Sequence, residues 1–221
     1  MSDGTLYLGT RRYSSWSLRG WLPVRLAKLD VVEVVLPLAG GSTPAVKLAS
    51  PSGFVPYLEH NDCKVWDSLA ICEYCAELSP GLWPADLAAR SHARSISAEM
   101  HSGFRELRMN MPMSLFRHAV GAGQTPGTLA DIARIDAIWT TTRDRFGAGG
   151  PYLFGASFTA ADAMYAPVVF RFMTYRPKLS QAAQDYADAV RAHPLMVEWL
   201  DAARDEPKAW YLPAMEAPLA P

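Results

Sequence analysis

The chain has 221 residues, half of them hydrophobic, which is enough apolar material for one large or two small domains with a substantial core. Its 21 basic and 22 acidic residues give a formal net charge of −1. This balance provides no electrostatic footprint for nucleic acid or an anionic membrane, so we expect neither as a partner.

The first eighty residues alternate short strand-like runs with helical runs. The strand-like runs are 6–8, 31–36, 57–59 and 64–66, and the helical runs are 17–29, 43–48 and 69–78. The order strand-helix-strand-helix-strand-strand-helix predicts a small α/β domain with a mixed sheet.

A segment with two prolines and a glycine, 79–84, ends this pattern. Beyond it, helical spacing continues without strand alternation over 86–118, 127–146, 159–174, 180–192 and 194–204. We therefore predict an α/β domain over 1–79, a linker over 80–85 and an all-helical domain over 86–221. The proline-containing tail, 213–221, is expected to be extended.

Three serines, Ser14, Ser15 and Ser17, lie where the first strand passes into the first helix. Hydroxyls and free backbone N–H groups at a helix N-terminus suit an anion. Ordinary helix capping is the alternative explanation.

The dipeptide Val55-Pro56 precedes a strand, where proline is tolerated at the strand start or on an edge. With a cis bond, the backbone N–H and C=O of Val55 would face outward and pair with an extended peptide. A trans proline that merely begins the strand is the alternative.

The pair Asp67-Ser68 follows the last strand and opens a helix. Ser68 and its N–H can hold a carboxylate at the positive helix end, and Asp67 can accept from an ammonium group. Together with the serines and Val55, this describes a groove for a short peptide with a free amino-acid end and a central thiol. Glutathione is such a peptide.

These motifs, with Phe158-Thr159-Ala160-Ala161-Asp162 in the helical half, resemble the cytosolic glutathione S-transferase family over nearly the whole chain. The Ser-Ser-x-Ser-x-Arg run is similar to the zeta class, which includes maleylacetoacetate isomerases. Trp16 stands where that class has cysteine. The resemblance implies a thioredoxin-like α/β N-terminal domain, an all-α C-terminal domain and a homodimer.

The resemblance also implies roles for individual residues. Ser14 or Ser15 would hydrogen-bond the glutathione sulfur and favour its thiolate, because a free thiol is only slightly ionised at neutral pH. Tyr13 and Tyr7 are alternatives, since other classes of the family use a tyrosine. Glutathione would be a co-substrate bound by six residues: Val55, Pro56, Asp67, Ser68, Lys47 and Arg12. Arg11 is a further candidate for its glycine carboxylate.

A helix through 100–113 is expected to face the second substrate, because the corresponding helix lines that pocket in the family. The candidates are Arg105, Arg108, Met109 and Met111. Methionines suit varied apolar ligands, although packing in the core is the alternative for each of them. The two arginines would bind an acidic group of the substrate or pair with neighbouring carboxylates.

The cysteines and histidines predict neither a disulfide framework nor a metal site. Three cysteines suit a reducing compartment, and Cys72 and Cys75 lie within a later helix, where we expect them to be packed and inert. The five histidines lack zinc-ligand spacing. No apolar run has transmembrane length and no signal peptide is evident, so a cytoplasmic location is expected.

The leading functional prediction is a detoxifying glutathione transferase that stabilises the thiolate with a serine and conjugates it to a small electrophile. Glutathione-dependent cis-trans isomerisation of maleyl-type keto acids is one alternative. A non-catalytic glutathione-binding scaffold on the same fold is the other.

Overall fold

The computed structural model describes residues 2–41 and 43–219. Met1, Ser42, Ala220 and Pro221, which the two predicted domains include, lie outside the described residues. A four-stranded sheet has the order β2-β1-β3-β4, with β2 parallel to β1 and the other neighbours antiparallel. The strands are β1 (Gly4–Gly9), β2 (Val31–Leu36), β3 (Tyr57–His60) and β4 (Cys63–Val65).

Three helices accompany the sheet: α1 (Ser15–Leu26), α2 (Pro44–Ala49) and α3 (Ser68–Leu78). Leu6 and Leu58 of the sheet are fully buried with Leu18 of α1 and Ile71 of α3, because alternate strand residues face the helices. The predicted order of strands and helices, and the thioredoxin-like α/β class, are confirmed. The ends of the elements lie within three residues of the predicted ones, and the bounds of β2 match the prediction at both ends.

The second half is helical within the described residues, apart from one isolated β-bridge between Tyr152 and Gly155. Its α-helices are α4 (Leu87–Ser102), α5 (Arg105–Asn110), α6 (Pro126–Phe146), α7 (Ala160–Tyr175), α8 (Gln181–Ala192), α9 (Pro194–Arg204) and α10 (Pro213–Glu216). Every residue of α7 except Met173 is buried, so α7 is the centre of this half. It packs against α1, α4 and α8.

The buried carboxylate of Asp162 fixes the beginning of α7. It accepts hydrogen bonds from Thr159 N (2.8 Å), Leu153 N (3.1 Å) and the Tyr186 hydroxyl (3.0 Å). Burial raises the pKa of Asp162, and these hydrogen bonds oppose that shift. Several donors on one carboxylate are what make its burial tolerable.

The predicted helical run 86–118 is wrong as a single helix. Phe104 has φ of 60°, in the left-handed region, and it separates α4 from α5. Gly103 approaches the preceding turn so closely that a Cβ would lie 2.8 Å from the Glu99 carbonyl oxygen. The expected continuous helix through 100–113 is therefore broken in its first turn.

The tail is also not simply extended. Its described part contains the 3₁₀ turn Lys208–Trp210 and the short helix α10. Ser114 and Arg117 donate hydrogen bonds to the tail carbonyls of Met215 (2.8 Å) and Ala217 (2.6 Å). These contacts hold the tail against the body of the protein.

One glycine brings α1 against the segment before β3. A Cβ on Gly20 would lie 2.6 Å from Cγ of Pro56, so no other residue fits there without movement of the rigid ring. The Val55–Pro56 peptide bond is cis. None of the helices in the described ranges combines the length and hydropathy needed to cross a bilayer.

Candidate functional site

Two adjoining cavities of about 380 and 490 Å³ share four lining residues, Trp16, Ser52, Phe54 and Val55, and together form the groove. The second also contains Ser14 and Lys47. The first also contains Pro56, Asp67 and Ser68. Residues predicted from separate segments of the chain thus line one continuous surface.

Ser14 caps α1 and lines the groove at the same time. Its Oγ accepts a hydrogen bond from Ser17 N (3.2 Å) and donates to Ser17 Oγ (2.7 Å). Ser17 Oγ in turn accepts from Gly9 N (2.9 Å), at the end of β1. The hydroxyl is therefore positioned by the junction between β1 and α1.

Ser15 is turned away from the groove. Its Oγ accepts a hydrogen bond from Nη2 of Arg171 in α7 (3.3 Å), and its side chain is buried. Ser14 and Ser15 are alternatives in the sequence, and of the two only Ser14 is among the groove-lining residues.

The two tyrosine alternatives have other partners. The Tyr13 hydroxyl donates to Glu216 and accepts from Leu212 N (3.1 Å). Burial and the bond to Glu216 raise the pKa of Tyr13. Tyr7 lies in β1, where its ring stacks on Tyr57 with the centroids 5.5 Å apart.

Asp67 caps α3 and also contacts the helical half. Its Oδ1 accepts from Leu69 N (3.0 Å), and its Oδ2 lies 3.0 Å from Nε2 of His101 in α4. His101 also meets the Trp16 ring edge-on, with centroids 5.3 Å apart. Trp16 and His101 both line the groove, and neither was predicted from the sequence to do so. Trp16 was signalled by its place among the serines, whereas nothing in the sequence singled out His101.

Ser68 contributes a buried hydroxyl without a partner. Its side chain has no exposed surface, and no hydrogen-bond partner for Oγ exists among the described residues. An unsatisfied buried hydroxyl costs about 1–3 kcal/mol. Because Ser68 also lines the groove, a bound polar group can supply the missing hydrogen bond.

The backbone of Val55 is similarly available. Within 2–41 and 43–219, neither its N–H nor its C=O takes part in a backbone hydrogen bond. An extended peptide lying in the groove can pair with both groups.

Of the proposed cations, Lys47 lines the groove and is exposed. Arg12 is buried, and its Nε and Nη2 donate to both carboxylate oxygens of Glu216 (3.1 and 3.0 Å). Arg11 pairs with Glu33. The structure thus corrects the expected role of Arg12: its guanidinium binds the tail instead of facing the groove.

The four residues expected around the second substrate do not form one pocket. Met111 is fully buried in the core, while Met109 is 62% exposed and Arg105 is exposed. Arg108 turns back and donates to the carbonyl oxygens of Gly103 (2.9 Å) and Met100. It thereby caps the C-terminus of α4, a position that favours a cation.

The buried cysteine thiols lie apart from the groove. Burial raises the pKa of Cys75 to about 12 and that of Cys72 well above its ordinary value, so both stay protonated at neutral pH. Among the residues that the structure describes, no three His, Cys, Asp or Glu side chains are grouped as metal ligands.

Two family models match the chain. The model of the glutathione S-transferase N-terminal domain matches residues 13–78, and that of the C-terminal domain matches residues 122–202. A curated relative, the "Probable maleylacetoacetate isomerase" of Caenorhabditis elegans, is 26% identical over 201 residues. The match covers 86% of this chain and 92% of that protein.

Solved structures share the fold. A glutathione transferase homolog from Burkholderia with bound glutathione is 20% identical with a TM-score of 0.70, covering 92% of this chain and all of the other. A theta class glutathione S-transferase from Xanthomonas axonopodis pv. citri, with glutathione bound, is 22% identical with a TM-score of 0.65. There the match covers 90% of this chain and 98% of the other.

The contact between Glu216 and the segment before α1 predicts a pH-dependent contribution to stability. Burial raises the pKa of Glu216, but the bonds from Arg12 and Tyr13 outweigh it, so the net shift is downward. The stabilisation is therefore complete above the unfolded pKa, about 4.3, and is lost as the pH falls through the lower folded value. We expect Glu216→Gln to lower stability at neutral pH by about 1 kcal/mol.

Thermal unfolding followed from about pH 3 to pH 7 measures this difference. Glu198→Gln is the matched control, because Glu198 pairs with Arg25 on the exposed surface and such pairs contribute little. Equal effects of the two substitutions, or a Glu216 effect that does not shrink in acid, would contradict the prediction.

Proposed function

The chain belongs to the glutathione S-transferase family, and on that premise we propose that it activates glutathione with the hydroxyl of Ser14 and transfers it to a small electrophile. The observation that supports this assignment is the position of Ser14, which caps α1 and lines the groove. Its one O–H donates to Ser17 Oγ in the unliganded protein and turns to the sulfur when glutathione binds. A thiolate at the N-terminus of a helix is stabilised by the helix dipole and by hydroxyl and N–H donors. A general base is not needed when the anion itself is stabilised.

The proposed orientation of glutathione follows the groove. Its amino-acid end binds at Asp67 and Ser68, where the carboxylate meets the unpartnered Ser68 hydroxyl and the start of α3. Its middle pairs with the free backbone of Val55. Its glycine carboxylate reaches Lys47, the candidate cation that lines the groove.

The proposed function also includes an electrophile site, an oligomeric state, a cellular location and a division into domains. The electrophile is a small molecule held on the open side of the groove next to Trp16. A homodimer, a cytoplasmic location and the division into domains 1–79 and 86–221 joined by 80–85 are parts of the same proposal.

Glutathione-dependent isomerisation is a second candidate, favoured by the 26% identity to the probable maleylacetoacetate isomerase. Trp16, a bulky side chain within the serine run, argues against it. We expect a maleyl keto acid to be turned over slowly or not at all. Rapid isomerisation without consumption of glutathione would favour this candidate over conjugation.

Alanine substitutions at the two serines test the proposed role of Ser14. Ser14→Ala should reduce kcat/KM with an aryl halide by about a hundredfold, as loss of an anion-stabilising donor does, and should raise the pKa of bound glutathione. Ser15→Ala should cost less than about tenfold, because its hydroxyl faces Arg171. A larger loss for Ser15→Ala would reverse the assignment.

The unpartnered hydroxyl of Ser68 gives a separate test of the binding mode. Ser68→Ala should weaken glutathione binding about tenfold, measured by calorimetry, while leaving the unliganded protein equally stable or more stable. Ser97→Ala is the matched control, because Ser97 is also buried and unpartnered among the described residues but does not line the groove. Glutathione affinity that changes equally in both variants would refute the predicted contact.

A further inference from the structure

Three arginines converge behind the groove from three helices. The guanidinium carbons of Arg19 in α1 and Arg108 in α5 lie 4.9 and 4.8 Å from the ring centroid of Trp16. Arg171 in α7 donates from Nη2 to Ser15 Oγ (3.3 Å). We call Arg19, Arg108 and Arg171 the arginine cluster.

Arg19 and Arg171 are buried, Arg108 is half-buried, and all three donate to neutral oxygens. Arg19 has no exposed surface, and its Nε donates to the Met164 carbonyl (2.8 Å). Arg171 is 4% exposed and donates from Nε to the Met111 carbonyl (2.9 Å).

Several N–H groups of the arginine cluster lack a hydrogen-bond acceptor, and its three charges lack a salt-bridge partner, among the described residues. Both terminal nitrogens of Arg19 and Nη1 of Arg108 have no hydrogen-bond partner in the described part of the chain. Within the same residues, no member of the cluster forms a salt bridge with a carboxylate.

The burial and mutual repulsion of the arginines lower their pKa values. Burial, followed by repulsion from Arg108, lowers the pKa of Arg171 to about 9. Burial, with repulsion from Arg108 and Arg171, lowers the pKa of Arg19 well below its ordinary value. Guanidinium groups keep their proton in proteins, so the shifts express the cost of three like charges in one place.

Neighbouring charged groups offset the cluster incompletely. Asp131 in α6 acts on Arg108, but its Oδ2 already accepts from Leu107 N (2.9 Å). Asp67, the residue that caps α3, is paired with His101. The other titratable groups acting on the cluster are Cys72 in α3 and the tyrosines Tyr165 and Tyr175 in α7. Burial raises the pKa of each of these three groups, so they are neutral at pH 7.

We propose that the arginine cluster stabilises the thiolate of bound glutathione electrostatically, and that this thiolate is the negative charge which the cluster lacks. The inference rests on the proposed function, which brings an anionic sulfur to Ser14. Trp16 lines the groove beside Ser14 and carries two of the guanidinium groups against its ring, so the charges lie directly behind the groove wall.

The burial of the arginines strengthens their electrostatic effect on the thiolate. Arg19 and Arg171 are almost completely shielded from water, and charges interact more strongly where the effective dielectric constant is low. A hydroxyl supplies one hydrogen bond, whereas the cluster supplies a field that acts without contact. The arginines are therefore electrostatic residues of the site and do not need to touch the substrate.

The test measures the pKa of glutathione bound to the full-length enzyme, from the ultraviolet absorbance of the thiolate as a function of pH. Arg108→Met and Arg171→Met should each raise this pKa by about one unit, which lowers the thiolate fraction up to about tenfold near neutral pH. Arg108→Lys, which keeps the charge, should retain most of the wild-type value.

Arg143→Met is the matched control. Arg143 is half-buried and donates to the Ala182 carbonyl (3.1 Å), with an unpartnered Nε, but it lies in α6 outside the cluster. Its removal should leave the thiol pKa unchanged. Should Arg171→Met fail to fold, the less buried Arg108 decides the question.

Each result separates the inference from the proposed function. If Ser14→Ala raises the thiol pKa but Arg108→Met does not, the arginine cluster has no electrostatic role, while the proposed function stands. An equal shift in Arg108→Lys and Arg108→Met shows a structural effect and overturns the inference. A wild-type protein that binds no glutathione as thiolate overturns both.

Discussion

The middle of helix α1 is buried on all its faces, and the arrangement of the site depends on this constraint. Every residue from Ser17 to Val24 is buried, because the helix packs against β1, α3 and α7. Ser17 ties it to the end of β1, and Gly20 leaves room only for Pro56. One helix therefore fixes the position of Ser14 at its start and of the Val55–Pro56 segment along its side.

The packing around α1 also joins the α/β half of the protein to the helical half. A single hydrophobic cluster includes Leu18 of α1, Cys72 of α3 and Met164 of α7. Moving the halves apart would expose this apolar surface to water, which costs about 25 cal/mol for each Å². The groove is consequently formed before any ligand arrives, and little ordering has to accompany binding.

Features that depend on neighbours along the chain could be predicted from the sequence. The order of strands and helices and the helix starts near Ser14 and at Asp67-Ser68 are of this kind, because caps and turns are local. Contacts between distant segments could not be predicted. The carboxylate that occupies Arg12 lies 204 residues further on, and His101 meets Asp67 only through tertiary packing. One left-handed residue, Phe104, was enough to break a helix whose spacing looked continuous.

The contact of Glu216 with Arg12 and Tyr13 makes the final structure of the site dependent on synthesis of the C-terminal tail. Arg12 and Tyr13 immediately precede Ser14, yet both bind Glu216. On the ribosome, the N-terminal sheet and α1 emerge long before that carboxylate has been synthesised. Until then the guanidinium of Arg12, two residues before Ser14, lacks the carboxylate of Glu216. Translation must therefore pass residue 216 before the segment around Ser14 acquires its final contacts, so a nascent or truncated chain ending earlier carries an incompletely assembled site.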